Sequence, residues 1–254
     1  MSTGEFYCIV DEGSIARSPG LNLALEEALL EAVARGELPS PLLRIWVNPV
    51  SIVLGRFSNP IKDVNLGEAE RLGVPIVRRI SGGGTVFHDP GNLNISLFHK
   101  SGGFIGVREV MGRGLSLITS ILVDLGFTPE VRNGNDIVVE GYKVSGTASY
   151  ASRRSWLFHS TLLVNSDLGL MRRLLVFPDD PTLGGRVDPV KYTPGNLSSL
   201  KPKVNMDMII GIVSERCSSI TRCVDPSVMR IANRLFKCKY SDPAWTIKGI
   251  LPKC

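Results

Sequence analysis

The segment "RRISGGGTVFHDPGN", Arg78–Asn92, joins two arginines, three consecutive glycines and a histidine–aspartate pair in fifteen residues. Three glycines weaken a regular strand, because each costs roughly 0.5–1 kcal/mol relative to alanine. They also let the backbone turn sharply and leave its N–H groups accessible, and N–H groups beside a guanidinium bind phosphate or carboxylate. The spacing matches neither a Walker A loop nor a GxGxxG fingerprint. The segment predicts an anion or nucleotide loop, with a tight turn between two strands as the alternative.

Outward from this segment, apolar periodicity predicts both helices and short strands. Residues 18–40 and 107–127 predict amphipathic helices, and Pro39 is expected to end the first. Strands are expected in 42–57 (two, broken at Asn48-Pro49), 73–81, 92–100 and 156–165, with a hairpin in 135–150 that turns near Glu140-Gly141. Because the strands meet through short turns, we expect an α+β fold with mixed, largely antiparallel sheets flanked by helices.

The sequence pattern changes near residue 200, where mixed strand and helix patterns give way to helix patterns. Residues 201–217 and 225–241 predict two helices, the second with Asp225 as N-cap and Pro226 in its first position. A segment of this size is small for an independent domain. We expect residues 1–200 to form the main domain and residues 201–254 to pack on it as a helical segment.

Composition is that of an ordinary globular protein, with 43% hydrophobic and 21% charged residues. No apolar run approaches the roughly 18–20 residues that span a bilayer, and the N-terminus lacks the pattern of a secretory signal. We expect a cytoplasmic protein without membrane contact. The net charge of +5 favours acidic partners. Basic clusters interleaved with aromatic residues are missing, so we do not expect nucleic-acid binding.

Five cysteines are scattered through the chain without a CxxC pair: Cys8, Cys217, Cys223, Cys238 and Cys254. An odd, scattered set is untypical of a secreted disulfide framework, so we expect reduced thiols. A pairing of Cys217 with Cys223, or of either with Cys238, stays open because sequence does not establish geometry.

A second segment, "YKVSGTASY" (Tyr142–Tyr150), sets Lys143 before a run of small residues. A lysine with little bulk around it suits a phosphate or a polarised acyl carbonyl, and the alternative is a solvated surface lysine. Just upstream, Asn135 and Asp136 offer oxygen ligands for Mg²⁺, although Asn-Gly-Asn-Asp is also turn chemistry. His88 by itself is more typical of a structural histidine.

The glycine segment, followed by "NDIVVEGYKVSGTASY" and "FHSTLLVNSDL", resembles the lipoate–protein ligase A family, within the biotin/lipoate ligase fold group. The stretches "NLALEEALLE", "IVLGRFSNP" and "ANRLFKCKYSDPAW" extend the similarity over most of the chain in the family's order. The resemblance implies a biotinyl/lipoyl protein ligase-like catalytic domain, related to class II synthetases.

The family implies a two-step reaction that uses ATP, Mg²⁺ and lipoate. Lipoate is first activated to lipoyl-AMP, and the lipoyl group then passes to a lysine of a lipoyl domain. The implied acceptors are lipoyl domains of 2-oxoacid dehydrogenase complexes or the glycine cleavage H protein. The chain ends soon after the catalytic region, as in archaeal members of the split type, so we expect a separate small accessory protein.

Carried over from the family, Lys143 is the catalytic residue and bridges the adenylate phosphate and the acyl carbonyl. Asn135 and Asp136 are the implied Mg²⁺ ligands. The implied nucleotide-binding residues are Arg79, Gly84, Thr85, Val86, Phe87 and Lys143. The implied substrate-binding residues are Trp46, Arg78, Ser81, Gly82, Gly83, His88, Lys143, Ser145, Gly146, Ala148 and His159.

Two departures from the family pattern accompany the resemblance. Ser160 stands where the family often has glycine, which puts a close backbone approach there in doubt, and Tyr150 stands where some members have arginine. Arg153 and Arg154 are the candidates to replace that arginine. The alternative activity is an octanoyl- or lipoyl-transferase without ATP, whose relatives use a cysteine shortly before the lysine segment. No cysteine stands there in this chain.

Overall fold

The computed structural model describes residues 5–11, 18–176, 192–252 and 254. In this part of the chain, the strands are β1 Phe6–Asp11, β2 Leu42–Val47, β3 Ser51–Leu54, β4 Ile76–Arg78, β5 Val86–His88, β6 Asn92–Lys100, β7 Glu130–Arg132, β8 Asp136–Val139, β9 Tyr142–Ala151, β10 Ser155–Leu163 and β11 Cys217–Thr221. The α-helices are α1 Pro19–Arg35, α2 Pro60–Asp63, α3 Leu66–Leu72, α4 Val107–Asp124, α5 Leu168–Leu174, α6 Leu197–Leu200, α7 Met206–Ser214, α8 Pro226–Leu235 and α9 Pro243–Lys248, and a π-helical turn spans Phe236–Tyr240.

The main sheet has the strand order β11-β1-β2-β6-β10-β9-β8-β7. The β1–β11 and β1–β2 pairs are parallel, and the remaining neighbours are antiparallel. The prediction of an α+β fold with mixed, largely antiparallel sheets is therefore confirmed. The hairpin in 135–150 turns where predicted, because Glu140 and Gly141 both adopt positive φ (50° and 81°), as a tight two-residue turn requires.

A smaller sheet, β4-β3-β5, carries the glycine segment. β3 pairs in parallel with β4 and antiparallel with β5, so the chain leaves the sheet after β4 and re-enters it at β5 on the far side of β3. The glycines lie in the connection between β4 and β5. The small sheet therefore holds both ends of the loop.

Helices cover both faces of the main sheet. The apolar faces of α4 and α7 share one buried cluster with Leu93, Ile95 and Leu97 of β6, which the alternation of that strand predicts. Helices α1, α8 and α9 share the cluster on the opposite face with Phe98. Within the described residues, no helix is long and apolar enough to cross a membrane.

Helix α1 ends three residues earlier than predicted. Gly36 adopts φ 77° and its N–H reaches the carbonyls of Ala32 and Val33, so a left-handed glycine cap ends the helix before Pro39. Asp225 and Pro226 start α8 as predicted, and the Asp225 side chain accepts from the N–H of Ser227.

The C-terminal segment departs from its prediction as two helices. Helix α7 ends at Ser214, and Cys217–Thr221 forms β11, the edge strand of the main sheet beside β1. This strand is short and mostly exposed, so it lacks the apolar alternation that predicts strands. The division of the chain near residue 200 stays a prediction.

The expectation of reduced thiols is wrong for four of the five cysteines. Cys8 pairs with Cys217 across β1 and β11, and Cys238 pairs with Cys254, with Cα–Cα distances of 5.8 and 5.6 Å. Cys223 is free and exposed. The first bridge joins residues 209 apart in sequence, a proximity that only strand pairing creates.

Arg78 attaches helix α9 to the small sheet. Its buried guanidinium donates to the carbonyls of Gly55, Arg56 and Ser58 on one side and to those of Trp245, Thr246 and Ile247 on the other. The indole N–H of Trp245 returns a hydrogen bond of 2.9 Å to the Arg78 carbonyl. A cation at the last turn of a helix also stabilises the exposed carbonyls there.

We expect Arg78→Met to destabilise the protein by about 3 kcal/mol or more, because several buried carbonyls lose their donor at once. Urea unfolding measures the change. Arg71→Met is the matched control, since Arg71 forms an exposed i,i+3 pair with Glu68 and its loss is expected to leave the stability nearly unchanged. Equal effects of the two substitutions would contradict the role of Arg78.

We expect a thiol reagent to modify Cys223 alone in the protein purified without reductant. The intact mass is then lower than the fully reduced mass by four hydrogen atoms, because two disulfides are present. After denaturation and reduction, all five cysteines react. Modification of all five without reductant would show that neither bridge forms.

Candidate functional site

An open cavity with an empty volume of about 590 Å³ lies between the main sheet, helix α1 and the glycine loop. It combines an apolar part with two groups of polar side chains. Its lining residues are Leu23, Glu26, Trp46, Val53, Arg79, Gly84, Thr85, Val86, His88, Asn94, Asn135, Asp136, Lys143, Gly146, Thr147, Ala148, His159, Ser160 and Thr161.

The glycine loop packs closely against the backbone of the small sheet. Gly83 adopts φ 83°, and a Cβ there would lie 3.0 Å from the guanidinium of Arg79 and 3.5 Å from Ala148. A Cβ on Gly55 would lie 2.0 Å from the Gly83 carbonyl, so the two backbones touch. At Gly82 and Gly84 a Cβ would meet nothing within 4 Å. The loop thus packs on its inner side and leaves open backbone toward the cavity.

The side chain of Arg79 fixes the conformation of this loop. Its buried guanidinium donates to the carbonyls of Gly82 (2.7 Å), Gly84 (2.8 Å) and Val53 (3.2 Å) and to Ser81 Oγ (3.0 Å). Burial lowers the pKa of Arg79 to about 10, so the group stays a cation at neutral pH. The arginine therefore supplies positive charge to the cavity while it fixes the loop.

A buried polar network continues from the loop to helix α1. Ser81 Oγ lies 2.6 Å from His159 Nε2, and His159 Nδ1 lies 3.2 Å from Glu26 Oε1. Ser96 donates to the same carboxylate oxygen and accepts from the indole N–H of Trp46. Burial by itself raises the pKa of Glu26, but His159, Ser96 and Arg44 stabilise the carboxylate, and the pKa is lowered. The inner end of the cavity thus holds a fixed negative charge.

His88 belongs to a second network on the same wall. Its Nδ1 accepts from Asn48 Nδ2 at 3.2 Å, and Asn48 in turn bonds Asn22. Asn22 accepts from the fully buried Arg44, which pairs with Asp11 at 2.7 Å. Burial, with repulsion from Arg79 and His159, lowers the pKa of His88 to about 3 against the pull of Glu26. His88 is a neutral ring in this site.

Lys143 stands at the outer end of the cavity. Its Nζ lies 2.5 Å from Asp136 Oδ1, and the second oxygen of Asp136 accepts from Asn133 Nδ2. The β8–β9 register sets Asp136 opposite Gly146, and a Cβ on Gly146 would lie 3.7 Å from Lys143 Cε. The small residues after Lys143 thus leave room for its side chain, as the sequence predicts.

Ser160, which replaces the family's glycine, does not block this end. Its hydroxyl lies 2.7 Å from that of Ser145, and both side chains are buried. The neighbouring Thr161 accepts from the N–H of Gly146 at 3.1 Å. The serine therefore joins β10 to β9 by a side-chain bond.

Most of the residues predicted for the site meet in the cavity. Those in its lining are Trp46, Arg79, Gly84, Thr85, Val86, His88, Asn135, Asp136, Lys143, Gly146, Ala148 and His159. Others lie outside the lining. Arg78 faces helix α9, and Phe87 belongs to the core of the small sheet. Ser81 and Ser145 are buried, Gly82 is half-buried and Gly83 is exposed, and none of these four lines the cavity.

Sequence reasoning missed several lining residues. Glu26 is an acid in the apolar part of helix α1, and that position was the available signal. The other missed residues have no comparable signal in the sequence, because each is an ordinary residue of a helix or strand. They are Leu23, Val53, Asn94, Thr147 and Thr161. Arg153 and Arg154, considered as replacements for the arginine of some family members, line a different cavity together with Tyr150.

Residues 18–218 match the family model described as the lipoyl protein ligase A/B catalytic domain. The chain belongs to this family. A relative from Aeropyrum pernix, described as "Putative lipoate-protein ligase A", is 44% identical over 183 residues, which cover 72% of this chain and 68% of the relative. Lipoate-protein ligase LplJ of Bacillus subtilis is 36% identical over 150 residues, or 58% of this chain. That match covers 43% of the Bacillus protein, so this ligase-family chain corresponds to less than half of it.

Solved structures share the fold over nearly the whole chain. A bipartite lipoate protein ligase from Thermoplasma acidophilum, studied with its E2 lipoyl domain, aligns with a TM-score of 0.80 at 20% identity and covers 100% of this chain and 99% of its own. A lipoate-protein ligase A bound with ATP aligns with a TM-score of 0.80 at 22% identity over 98% of this chain and 100% of its own. At these identities the likeness establishes the shared ligase fold.

We expect His88 to stay neutral while the unfolded chain takes up a proton, between pH 6.5 and about 3. Stability contributed by the neutral ring is complete above pH 6.5 and falls by about 1.4 kcal/mol for each pH unit below it. Urea unfolding of His88→Gln is expected to show a pH dependence that is shallower by this amount. A His88 imidazole that titrates near pH 6.5 in nitrogen-15 NMR spectra of the native protein would refute the expectation.

Proposed function

We propose that this protein is a lipoate–protein ligase that activates lipoate with ATP and transfers the lipoyl group to a lysine of a lipoyl domain. One observation carries the proposal. The Lys143 ammonium, the Asp136 carboxylate and the open backbone of the glycine loop line the same cavity, whose inner part is apolar. Such a cavity has a place for an anion, a place for a cation and a place for an alkyl chain.

The apolar part suits the acyl chain of lipoate. Leu23, Trp46, Val53, Val86 and Ala148 line it, and most of these side chains are buried in the protein. Pockets of this kind bind mainly through apolar contact, and a few polar groups set the orientation of the ligand. The Ser81–His159–Glu26 network closes the inner end, and it fixes Trp46 through Ser96. Rigid walls favour one placement of the carboxylate at the outer end.

The outer end suits the nucleotide. Gly84 and Thr85 of the glycine loop and the cationic Arg79 and Lys143 line the cavity, and backbone N–H groups together with cations favour phosphate oxygens. Asp136 and Asn135 are oxygen donors in the same lining, which fits Mg²⁺, an ion usually bound by one or two carboxylates together with phosphates and water. The described residues contain no cluster of three His, Cys, Asp or Glu side chains that would hold a metal alone. Bound there, Mg²⁺ would neutralise phosphate charge.

Two displacements make up the proposed reaction. In the first, a lipoate carboxylate oxygen attacks the α-phosphorus of ATP, and pyrophosphate leaves with the electron pair of the broken P–O bond. In the second, the lysine amine of the acceptor attacks the acyl carbon, AMP leaves, and the amine loses a proton. Both transition states gather negative charge on oxygen, which the Lys143 ammonium and backbone N–H groups stabilise. Arg79 keeps the loop in position for both steps.

A transferase that forms a thioester on cysteine is the second candidate. All five cysteines lie in the described part of the chain, and none lines the cavity. Four of them form disulfides, and Cys223 lies on the surface after β11. The ligase reaction, which needs no protein nucleophile, therefore fits the cavity better.

The proposed acceptors are lipoyl domains of 2-oxoacid dehydrogenase complexes or the glycine cleavage H protein, in the cytoplasm. The Thermoplasma neighbour is described with an E2 lipoyl domain, which favours the first. That neighbour is also bipartite and matches this chain over 99% of its own length. We therefore include a separate accessory protein, needed for adenylation, in the proposal.

Mass spectrometry of a purified lipoyl domain tests the proposed activity. The domain is incubated with the protein, ATP, Mg²⁺ and lipoate, with and without a candidate accessory protein. A mass gain of one lipoyl group that requires ATP supports the ligase. Transfer from an octanoyl carrier protein without ATP, in the absence of any ATP-dependent gain, would establish the transferase instead.

We expect Lys143→Ala to fold normally and to lose lipoyl-AMP formation by about 100-fold or more, because a preorganised cation is removed from the developing charge. Pyrophosphate release in the presence of the accessory protein measures the step. Lys203→Ala is the matched control, since Lys203 is an exposed lysine outside the cavity. Full activity of Lys143→Ala would remove this lysine from the mechanism.

A further inference from the structure

The protein has a second cavity, whose empty volume of about 1230 Å³ includes space open to solvent. Five cations and two carboxylates line it, together with aromatic and aliphatic side chains. The lining residues are Glu27, Leu30, Glu31, Ala34, Arg35, Arg56, Ile80, Tyr150, Ser152, Arg153, Arg154, Ser155, Lys239, Trp245 and Leu251.

The two carboxylates of this cavity are already neutralised. Glu27 accepts from Lys239 at 2.8 Å and from the Tyr240 hydroxyl at 2.6 Å, and Glu31 lies 3.6 Å from Arg35. These pairs leave the other three cations without a carboxylate.

The remaining cations are arginines without an acidic partner among the described residues. Arg153 and Arg154 are exposed on the turn between β9 and β10, and neither guanidinium makes an ion pair in the described chain. Arg56 donates to the Gly249 carbonyl at 2.8 Å and stacks on Trp245 at 4.6 Å. The turn and the Arg56 loop thus present three positive charges to one open space.

Apolar side chains border these arginines. Phe57 is 86% exposed beside the Arg56 guanidinium, which lies 5.3 Å from its ring centroid, and Leu251 is 61% exposed in the cavity wall. Arginine together with exposed aromatic and aliphatic residues is a composition typical of protein interfaces. We call the surface of Arg56, Phe57, Arg153, Arg154 and Leu251 the docking face.

The docking face is joined directly to the glycine loop. The N–H of Arg56 bonds the Ser81 carbonyl at 2.7 Å, and Gly55 touches Gly83. Lys143 lies near the start of strand β9, and Arg153 lies just past its end. The ten residues from Lys143 to Arg153 span about 30 Å of extended chain. This length is about the diameter of a small domain. A small domain that presents a lysine at the first cavity therefore also reaches the docking face.

We propose that the docking face binds the acceptor protein through acidic surface residues, so that its target lysine enters the first cavity. This inference rests on the proposed ligase function. An acidic domain matches three unpaired guanidinium groups, and complementary charge of this kind guides association and orientation.

The double charge reversal Arg153→Glu/Arg154→Glu tests the docking face. Synthetic lipoyl-AMP and a purified acidic lipoyl domain are supplied, so that transfer is measured without the adenylation step or an accessory protein. We expect the KM for the lipoyl domain to rise about tenfold or more and to lose part of its salt dependence. Lipoyl-AMP formation, measured separately by pyrophosphate release, is expected to change less than twofold.

Arg230→Glu/Arg234→Glu is the matched control, because it makes the same charge change with arginines of helix α8 that lie outside the second cavity. Arg153→Gln/Arg154→Gln is expected to raise the KM by a smaller factor, and circular dichroism checks that each variant is folded. An unchanged KM in the charge reversal, or an equal rise in the control, would overturn the docking face. So would a loss of lipoyl-AMP formation as large as the loss of transfer. If the wild-type protein transfers no lipoyl group from lipoyl-AMP, both the proposed ligase function and the proposed docking face are refuted.

Discussion

The buried guanidinium of Arg79 is the interaction on which the site depends. Three glycines supply no side-chain packing, so the loop holds its shape only because Arg79 bonds the carbonyls of Gly82 and Gly84 and because Gly83 packs against Gly55. The carbonyls of all three glycines are thereby satisfied within the protein, since Ser58 donates to that of Gly83. One arginine therefore fixes the backbone and brings a positive charge to the cavity.

Arg78 and Arg79, which are adjacent in sequence, form hydrogen bonds on opposite sides of the small sheet. Successive side chains along an extended segment point to opposite faces, so Arg78 reaches helix α9 where Arg79 reaches the loop. Disulfides add two further attachments of the C-terminal residues, through Cys217 to strand β1 and through Cys254 to the π-helical turn. C-terminal residues, which are distant in sequence from the glycine loop, thus form part of the wall of the second cavity.

The polar interior divides into parts with different charge. Glu26 is an anion at the inner end of the cavity, His88 is a neutral ring on its wall, and Lys143 is a cation paired with Asp136 at the outer end. Burial makes the states of Glu26 and His88 depend on their partners, because an unpaired charge is costly away from water. For a ligase, the cation at the outer end favours a phosphate there, and the apolar side chains of the lining favour an alkyl chain.

The sequence by itself determined the fold class and the hairpin at Glu140-Gly141, because periodicity and turn residues are local features. It also indicated most of the cavity lining, through the resemblance of its glycine and lysine segments to the ligase family. It did not determine which way Arg78 and Arg79 face, that Cys217–Thr221 joins the main sheet, or that Cys8 meets Cys217. Glu26, Ser96 and His159 stand far apart in the chain and form one network only after α1, β6 and β10 pack together. Those contacts are set by strand order and register, which short-range patterns do not contain, and the tertiary structure alone decided them.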